Sequence, residues 1–189
     1  HLRRDQCLDY TTIRLGIVYG AHDHKIQGFH RLFFAIVDRS MPVLFTRQEA
    51  MHSYSNARKL PYFISHVLNN RQEFSGQTYN FVDPNPVSLS QLILTIKSYL
   101  ELKTPREIYM PFPVAQFGMG VMARLGRLIT RLGIDARMPA ELMFLKNFYE
   151  TQTLSAAKLR NSSFVDPDPE ATTFTELPAL IEYYVTRWE

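Results

Sequence analysis

An α/β fold organised on parallel strands is the class this sequence predicts, and three features predict it. Residues 11–20, Thr-Thr-Ile-Arg-Leu-Gly-Ile-Val-Tyr-Gly, form a β-branched apolar run that opens into a glycine turn, the pattern of a buried strand delivering a loop at its carboxyl end. Strand-like and helix-like apolar spacings then alternate along the chain, with several helical stretches gathered toward its end. Parallel strands need neighbours joined by crossovers, yet only a short polar stretch, residues 1–9, precedes the first strand. The expectation is therefore a chain that begins in the middle of a domain.

The elements follow in order. Residues 29–39 have helical apolar spacing, and Pro42-Val43-Leu44-Phe45 reads as a short strand. Residues 56–70 predict a helix, because Leu60, Phe63, Ile64, Val67 and Leu68 make one apolar stripe and Pro61 lies close enough to the start to be tolerated. Thr78-Tyr79-Asn80-Phe81-Val82 is the next strand, closed by Asp83-Pro84-Asn85-Pro86. Ser88 with Gln91 forms a capping box ahead of Leu92, Ile93, Ile96 and Leu100. Thr173 with Glu176 repeats that signal before a last helix through Leu180, Ile181, Tyr184 and Trp188.

Composition excludes several classes. With 46% hydrophobic and 21% charged residues over 189, the chain can bury an ordinary core or a part-domain with a small companion. A formal charge of +3, from 21 basic and 18 acidic residues, is too balanced to imply nucleic acid as a partner. The single cysteine, Cys7, excludes an internal disulfide framework and suits a cytoplasmic location. No uncharged apolar run approaches the roughly 18 residues that a spanning helix needs. The nearest candidate, residues 110–123, contains Pro111, Pro113 and Gln116 and runs into Arg124.

Four local patterns invite chemistry. In open α/β sheets ligands lie beyond the carboxyl ends of strands, which places Tyr19, Gly20 and the loop of residues 21–28 at a candidate site. His22-Asp23-His24 offers two imidazoles and a carboxylate, but zinc needs a further ligand and a rigid support, so a solvated turn or a substrate contact is the reading here. Gly118-Met119-Gly120-Val121-Met122-Ala123 fits a relaxed dinucleotide fingerprint, yet Pro111 and Pro113 argue against the strand that must precede one, leaving helix packing as the reason for the glycines. Arg124, Arg127 and Arg131 share a helix face beside Val121, Leu125, Leu128, Ile129 and Leu132. That pattern suits a core helix with a solvated basic stripe, a groove for an anionic substrate tail, or an interfacial helix in peripheral contact with anionic lipid. Asp166-Pro167-Asp168-Pro169 reads as a rigid acidic loop.

The order of motifs resembles the C-terminal portion of the extended short-chain dehydrogenase/reductase superfamily, the NAD-dependent epimerase/dehydratase group. Arg14-Leu15-Gly16-Ile17-Val18-Tyr19-Gly20 is similar to that family's Arg-Pro-x-x-Val-Tyr-Gly strand, with Leu15 at the usual proline. Ser53-Tyr54-Ser55-Asn56-Ala57-Arg58 stands where the family has a Val-Asp-Asp-like strand end entering a helix. Gly76-Gln77-Thr78-Tyr79-Asn80-Phe81 resembles its Gly-x-x-Tyr-Asn-Ile strand, residues 86–92 the helix start that follows, and Ser155-Ala156-Ala157-Lys158-Leu159 the segment before the closing helix. The resemblance runs along nearly all of residues 1–189.

The fold so implied is the C-terminal part of a Rossmann-like parallel sheet plus a smaller α/β substrate-binding domain, with NAD or NADP as cofactor of the full-length parent. The family's glycine-rich phosphate turn and its catalytic Tyr-x-x-x-Lys would lie upstream of His1, so no catalytic residue is assigned within this chain and the isolated chain is expected to be inactive. Tyr99 and Lys103 imitate that pair but follow the opening strand instead of preceding it, and read as the wet end of a helix. By resemblance, Leu15, Gly16, Ile17, Tyr19 and Gly20 line the nicotinamide side, mainly through backbone groups. Substrate contacts fall to Tyr19, His22, Arg47, Asn56 and Arg124, and no metal site is expected.

The implied partner is a small-molecule substrate bearing a hydroxyl, a sugar nucleotide or a sterol-like compound, with a homodimer as a further expectation. Many sugar-nucleotide members carry an asparagine where this chain has Ile17 and an arginine where it has Glu49, which weighs against a sugar nucleotide unless Arg47, Lys59 or the Arg124 stripe supplies the phosphate contacts. Asn56-Ala57 is closer to the steroid dehydrogenase branch. The alternatives outside enzymology are a binding or scaffold module and a peripheral membrane domain.

Overall fold

The computed structural model describes residues 9–22, 28–38, 43–45, 50–131 and 145–188. Cys7, Asp23, His24, Arg47, Glu49 and Leu132 lie outside the described residues. In chain order the elements are β1 (Thr12–Leu15), β2 (Ile17–Tyr19), α1 (Gly28–Val37), β3 (Val43–Phe45), β4 (Met51–His52), β5 (Tyr54–Asn56), α2 (Leu60–Asn69), α3 (Arg71–Phe74), β6 (Thr78–Phe81), β7 (Val87–Ser88), α4 (Leu89–Tyr99), β8 (Arg106–Ile108), α5 (Phe112–Arg131), α6 (Leu145–Tyr149), α7 (Ala157–Arg160) and α8 (Leu177–Trp188). The chain divides into two compact units. The first combines His1–Phe29, Ser53–Pro86 and Thr153–Glu189, and the second combines His30–His52 and Val87–Gln152.

In the first unit β1 pairs in parallel with β6, Thr12 opposite Thr78, and β2 pairs in parallel with β5, Ile17 opposite Tyr54. The parallel expectation holds, but the single buried strand expected over residues 11–20 is two strands that change partner at Gly16. The cause is local: the Gly16 N–H donates to Ser55 Oγ at 2.8 Å and the Ile17 N–H to Ser53 O at 2.9 Å, while a Cβ on Gly16 would stand 2.2 Å from Ser53 O. Nor is the run buried throughout. Leu15 is 39% and Val18 42% exposed, and Tyr19 alone among residues 12–19 is buried.

An aromatic cluster makes this unit's core. Phe63, Val67, Phe74, Tyr79, Phe81 and Leu159 are buried together, with Ile13, Leu60 and Phe164 packed against them. Phe63 stacks on Phe81 at 5.3 Å and meets Phe164 edge-on at 5.0 Å, geometries that add to plain area burial. The predicted helix is shorter than residues 56–70 because Asn56 remains in β5 and its Oδ1 accepts from the Arg58 N–H at 2.9 Å, a turn that α2 follows. Its stripe is also narrower, since Ile64 and Leu68 stay exposed. The box expected at Thr173 and Glu176 does not form: Thr173 is buried with its hydroxyl turned to Asp83, and Glu176 N–H donates to Thr172 O.

In the second unit β3 pairs in parallel with β8, a strand the sequence reading missed, and β4 pairs antiparallel with β7. Ser88 closes β7 and caps α4, accepting the Gln91 N–H at 3.4 Å. Leu89, Leu92, Ile93 and Ile96 of α4 are buried, as are Leu32, Phe33 and Ile36 of α1, Leu44 and Phe148. Helix α4 ends at Tyr99, so Lys103 does not share a helix with it. Gly118 and Gly120 lie inside α5, and a Cβ on either would meet nothing within 4 Å. They form neither a phosphate turn nor the close helix contact expected of them.

Because those two glycines only add freedom to the unfolded chain, Gly118→Ala and Gly120→Ala should each stabilise the protein by about 0.5–1 kcal/mol. Urea unfolding followed by circular dichroism checks this, and a loss of stability in both variants contradicts the open placement.

Candidate functional site at the β2 and β5 strand ends

The carboxyl ends of parallel β2 and β5 form the candidate site. Register puts Tyr19 opposite Asn56, and the Ala57 N–H donates to Tyr19 O at 2.9 Å as the chain leaves β5. Tyr19 points inward, 2% exposed, against Phe29 and Tyr54 at centroid distances of 6.2 and 6.4 Å. Its hydroxyl donates to Asp83 Oδ2 at 2.7 Å, and the Thr173 hydroxyl donates to the same oxygen at 2.9 Å. Asp83 is itself fixed through its N–H, which donates to Tyr54 O at 2.7 Å. The Asn56 amide nitrogen is buried beside this cluster without a hydrogen bond of normal geometry.

Burial is the largest influence on both ionisable members. It raises the Tyr19 phenol well above its usual range, with the Asp83 charge adding to the effect, so the phenol stays protonated and serves as a donor. Burial likewise raises the Asp83 carboxyl, opposed by the hydrogen bonds from Tyr19 and Thr173 and by the nearby Lys59 charge. Lys59 is buried and pairs with Asp166 Oδ2 at 2.9 Å. It is therefore committed within the fold and does not offer the phosphate contact expected of it. Arg58 bridges Asp168 at 2.6 Å and Glu176 at 2.8 Å on the surface, so both aspartates of the acidic loop are structural.

The predicted residues fall into two groups. Tyr19, Gly20 and Asn56 meet at the carboxyl ends of β2 and β5, whereas Ile17 opens β2 opposite Tyr54, Gly16 lies against Ser53 and Leu15 pairs with Phe81. Gly20 sits where a Cβ would come 2.9 Å from the Ala57 Cβ, and its carbonyl accepts from the Tyr184 hydroxyl at 3.2 Å. His22 follows at φ 66°, with its ring 5.2 Å from that of Tyr183. Arg124 is exposed on α5 in the second unit. Among the described residues no group of three or more His, Cys, Asp or Glu is placed to hold a metal, and no helix is long and apolar enough to cross a membrane.

Sequence reasoning missed Asp83 and Thr173 as members of the site. Asp83 follows directly on the apolar strand that ends at Phe81-Val82, so a carboxylate at a strand's carboxyl end was the available signal. Thr173 gave none, because its partner lies 90 residues away.

This arrangement is an α/β Rossmann-like fold of the epimerase and dehydratase kind. No family model and no curated protein matches the chain, but solved structures do. The dTDP-glucose 4,6-dehydratase of Streptomyces venezuelae, solved with NAD bound, is similar at 13% identity with a TM-score of 0.62 over 98% of this chain and 46% of that one. UDP-glucose 4-epimerase from Thermotoga maritima, solved with UDP-glucose, gives 15% identity and 0.61 over 99% and 49%. UDP-glucuronic acid 4-epimerase from Bacillus cereus, in complex with UDP-glucuronic acid and NAD, gives 14% and 0.59 over 97% and 48%. The likeness is one of fold, and the chain spans about half the length of the structures it matches.

The Asp83 carboxyl holds its proton more tightly in the folded than in the unfolded protein. Its contribution is therefore greatest below the ordinary carboxylate range and is lost as pH rises through the raised folded value. Asp83→Asn removes this titration, so the stability of the variant relative to the parent should climb as pH rises from about 4 to 7. Urea midpoints across that range check the slope; a flat or falling difference means that the carboxylate is stabilised where it sits.

Proposed function

We propose that this chain is the substrate-domain portion of an NAD(P)-dependent epimerase, dehydratase or dehydrogenase acting on a hydroxyl-bearing substrate. The observation that carries this reading is the pair of parallel strand ends at Tyr19 and Asn56, locked to Asp83, within a fold otherwise seen in enzymes solved with NAD. The residues present suit one face of a nicotinamide group. Leu15 and Val18 leave apolar surface exposed along β1 and β2. A nicotinamide bound there would supply hydride chemistry, taking a hydride from a hydroxyl-bearing carbon and returning one to a carbonyl carbon.

In this reading the chain's own part is to position and to exclude water. Tyr19 is a positioning residue: its phenol, held protonated between Asp83 and the ring of Phe29, fixes the β2 end from which Gly20 and His22 lead into the substrate side. Asn56 anchors the turn out of β5 through the Arg58 N–H. His22 and Asn56 are the proposed substrate contacts of the first unit. The acid–base pair is assigned to a Tyr-x-x-x-Lys in a preceding segment of a longer protein, so that this portion alone turns over no substrate.

The first experiment is the intact mass and N-terminal sequence of the natively expressed protein. A mass well above 22.0 kDa, with a glycine-rich turn and Tyr-x-x-x-Lys before His1, is the expected result. A native product lacking both, and failing to bind NAD or NADP by calorimetry, overturns the enzyme in favour of a binding module.

A second reading has its own observation. Val114, Phe117, Val121 and Leu125 of α5 are exposed, Phe117 at 75%, along one helical stripe adjoining Arg124. Such a face suits peripheral contact with anionic lipid. Vesicles rich in phosphatidylserine should then retain the protein at low salt and release it as salt rises. Phe117→Asp should abolish retention, and retention that survives this change excludes the stripe.

A further inference from the structure

Within the second unit, the C-terminal end of α4 and the start of β8 enclose a cleft of about 690 Å³. Its shape begins with the way α4 stops. The Leu102 N–H donates to Lys97 O at 2.8 Å and the Glu101 N–H to Ser98 O at 3.2 Å, with Glu101 in the left-handed conformation at φ 53°. These are the bonds of a Schellman turn, whose left-handed position strongly favours glycine. Here a glutamate occupies it. The chain then turns through Lys103 and Thr104 into β8, where Arg106 is the register partner of Val43, and Val43 closes the far wall.

Among the described residues the lining holds Lys97, Lys103 and Arg106 against one carboxylate, Glu101. Lys97 is 5% exposed and so belongs to the wall itself. Lys103 and Arg106 are exposed, and neither enters an ion pair among the described residues. A helix C-terminus attracts a cation, which accounts for one positive group at this place but not for three around one cavity. The volume falls in the range of small-molecule sites and exceeds the needs of a bare ion.

We propose that this cleft binds a small phosphorylated molecule. The Arg106 guanidinium and the Lys103 ammonium take the phosphate oxygens, the guanidinium as a fork. Glu101 and Thr104 meet hydroxyl groups on the remainder, which gives the strained glutamate a use that glycine could not fill. The site lies wholly within the second unit, so it stands or falls independently of the strand-end site.

The test is a titration of the isotopically labelled chain with inorganic pyrophosphate, followed by amide chemical shifts at constant ionic strength. Saturable shifts confined to Val43 and residues 97–106 are expected, weakened about tenfold or more by Lys103→Gln and by Arg106→Gln, as for loss of a charge-assisted hydrogen bond. Arg106→Lys should recover part of the binding, and Lys146→Gln, at an exposed position of α6 in the same unit, should change nothing. Shifts that do not saturate, that spread over other basic residues, or that survive both substitutions overturn the proposal. Should either variant fail to fold, the location and saturation of the shifts in the parent chain decide it.

Discussion

Everything at the strand-end site depends on one close approach of backbone to backbone at Gly16. There the chain leaves β6 and takes up β5. It does so because two consecutive N–H groups find acceptors on the same short segment, Ser55 Oγ for Gly16 and Ser53 O for Ile17. Ser55 then donates to Phe81 O at 2.7 Å, so one hydroxyl joins β2, β5 and the end of β6. A side chain at residue 16 would push Ser53 away and undo the register that places Tyr19 opposite Asn56. Since a strand's side chains alternate, a slip of one residue would turn Tyr19 outward and leave Asp83 buried without its phenol.

The polar interior is organised around that register. Asp83 collects two hydroxyl donors on one oxygen and stays close to the buried charge of Lys59, which is answered by Asp166. Tyr19, Asp83 and Lys59 thus each have a named partner, the condition under which buried ionisable groups are tolerated. The Arg58 bridges to Asp168 and Glu176 differ, being exposed at the guanidinium, and add little to stability. The weight of the first unit is carried by the aromatic cluster around Phe63, and the polar network sets which way the strand ends face.

Much of this was legible in the residues. Alternation of apolar spacing located α1, α2, β6, α4 and α8, and the motif order around Val18-Tyr19-Gly20 and Tyr79-Asn80-Phe81 gave the fold. What could not be read were the features set by distant partners. The break at Gly16 needs Ser53 and Ser55, which no window on residues 11–20 contains. Thr173 has the spacing of a helix cap, but burial against Asp83 outweighs capping. β8 is three residues long and exposed, so its pairing with β3 leaves no alternation to detect. Exposed Ile64 and Leu68 complete a helical stripe by pattern, although only Phe63 and Val67 on that helix are buried.

The threading of the two units carries a consequence for synthesis on the ribosome. The chain passes between units at residues 29/30, 52/53, 86/87 and 152/153, and the first unit takes Leu159 of its core, Asp166 and Thr173 from its last segment. Neither unit is a continuous stretch, but every segment of the second has been made at Gln152, before the last segment of the first. Until the final thirty-odd residues emerge, Phe63 lacks its cover from Leu159 and Phe164, and Asp83 and Lys59 lack their partners. The second unit can therefore fold ahead of the first, whose aromatic cluster is completed only by Leu159 and Phe164 of its last segment.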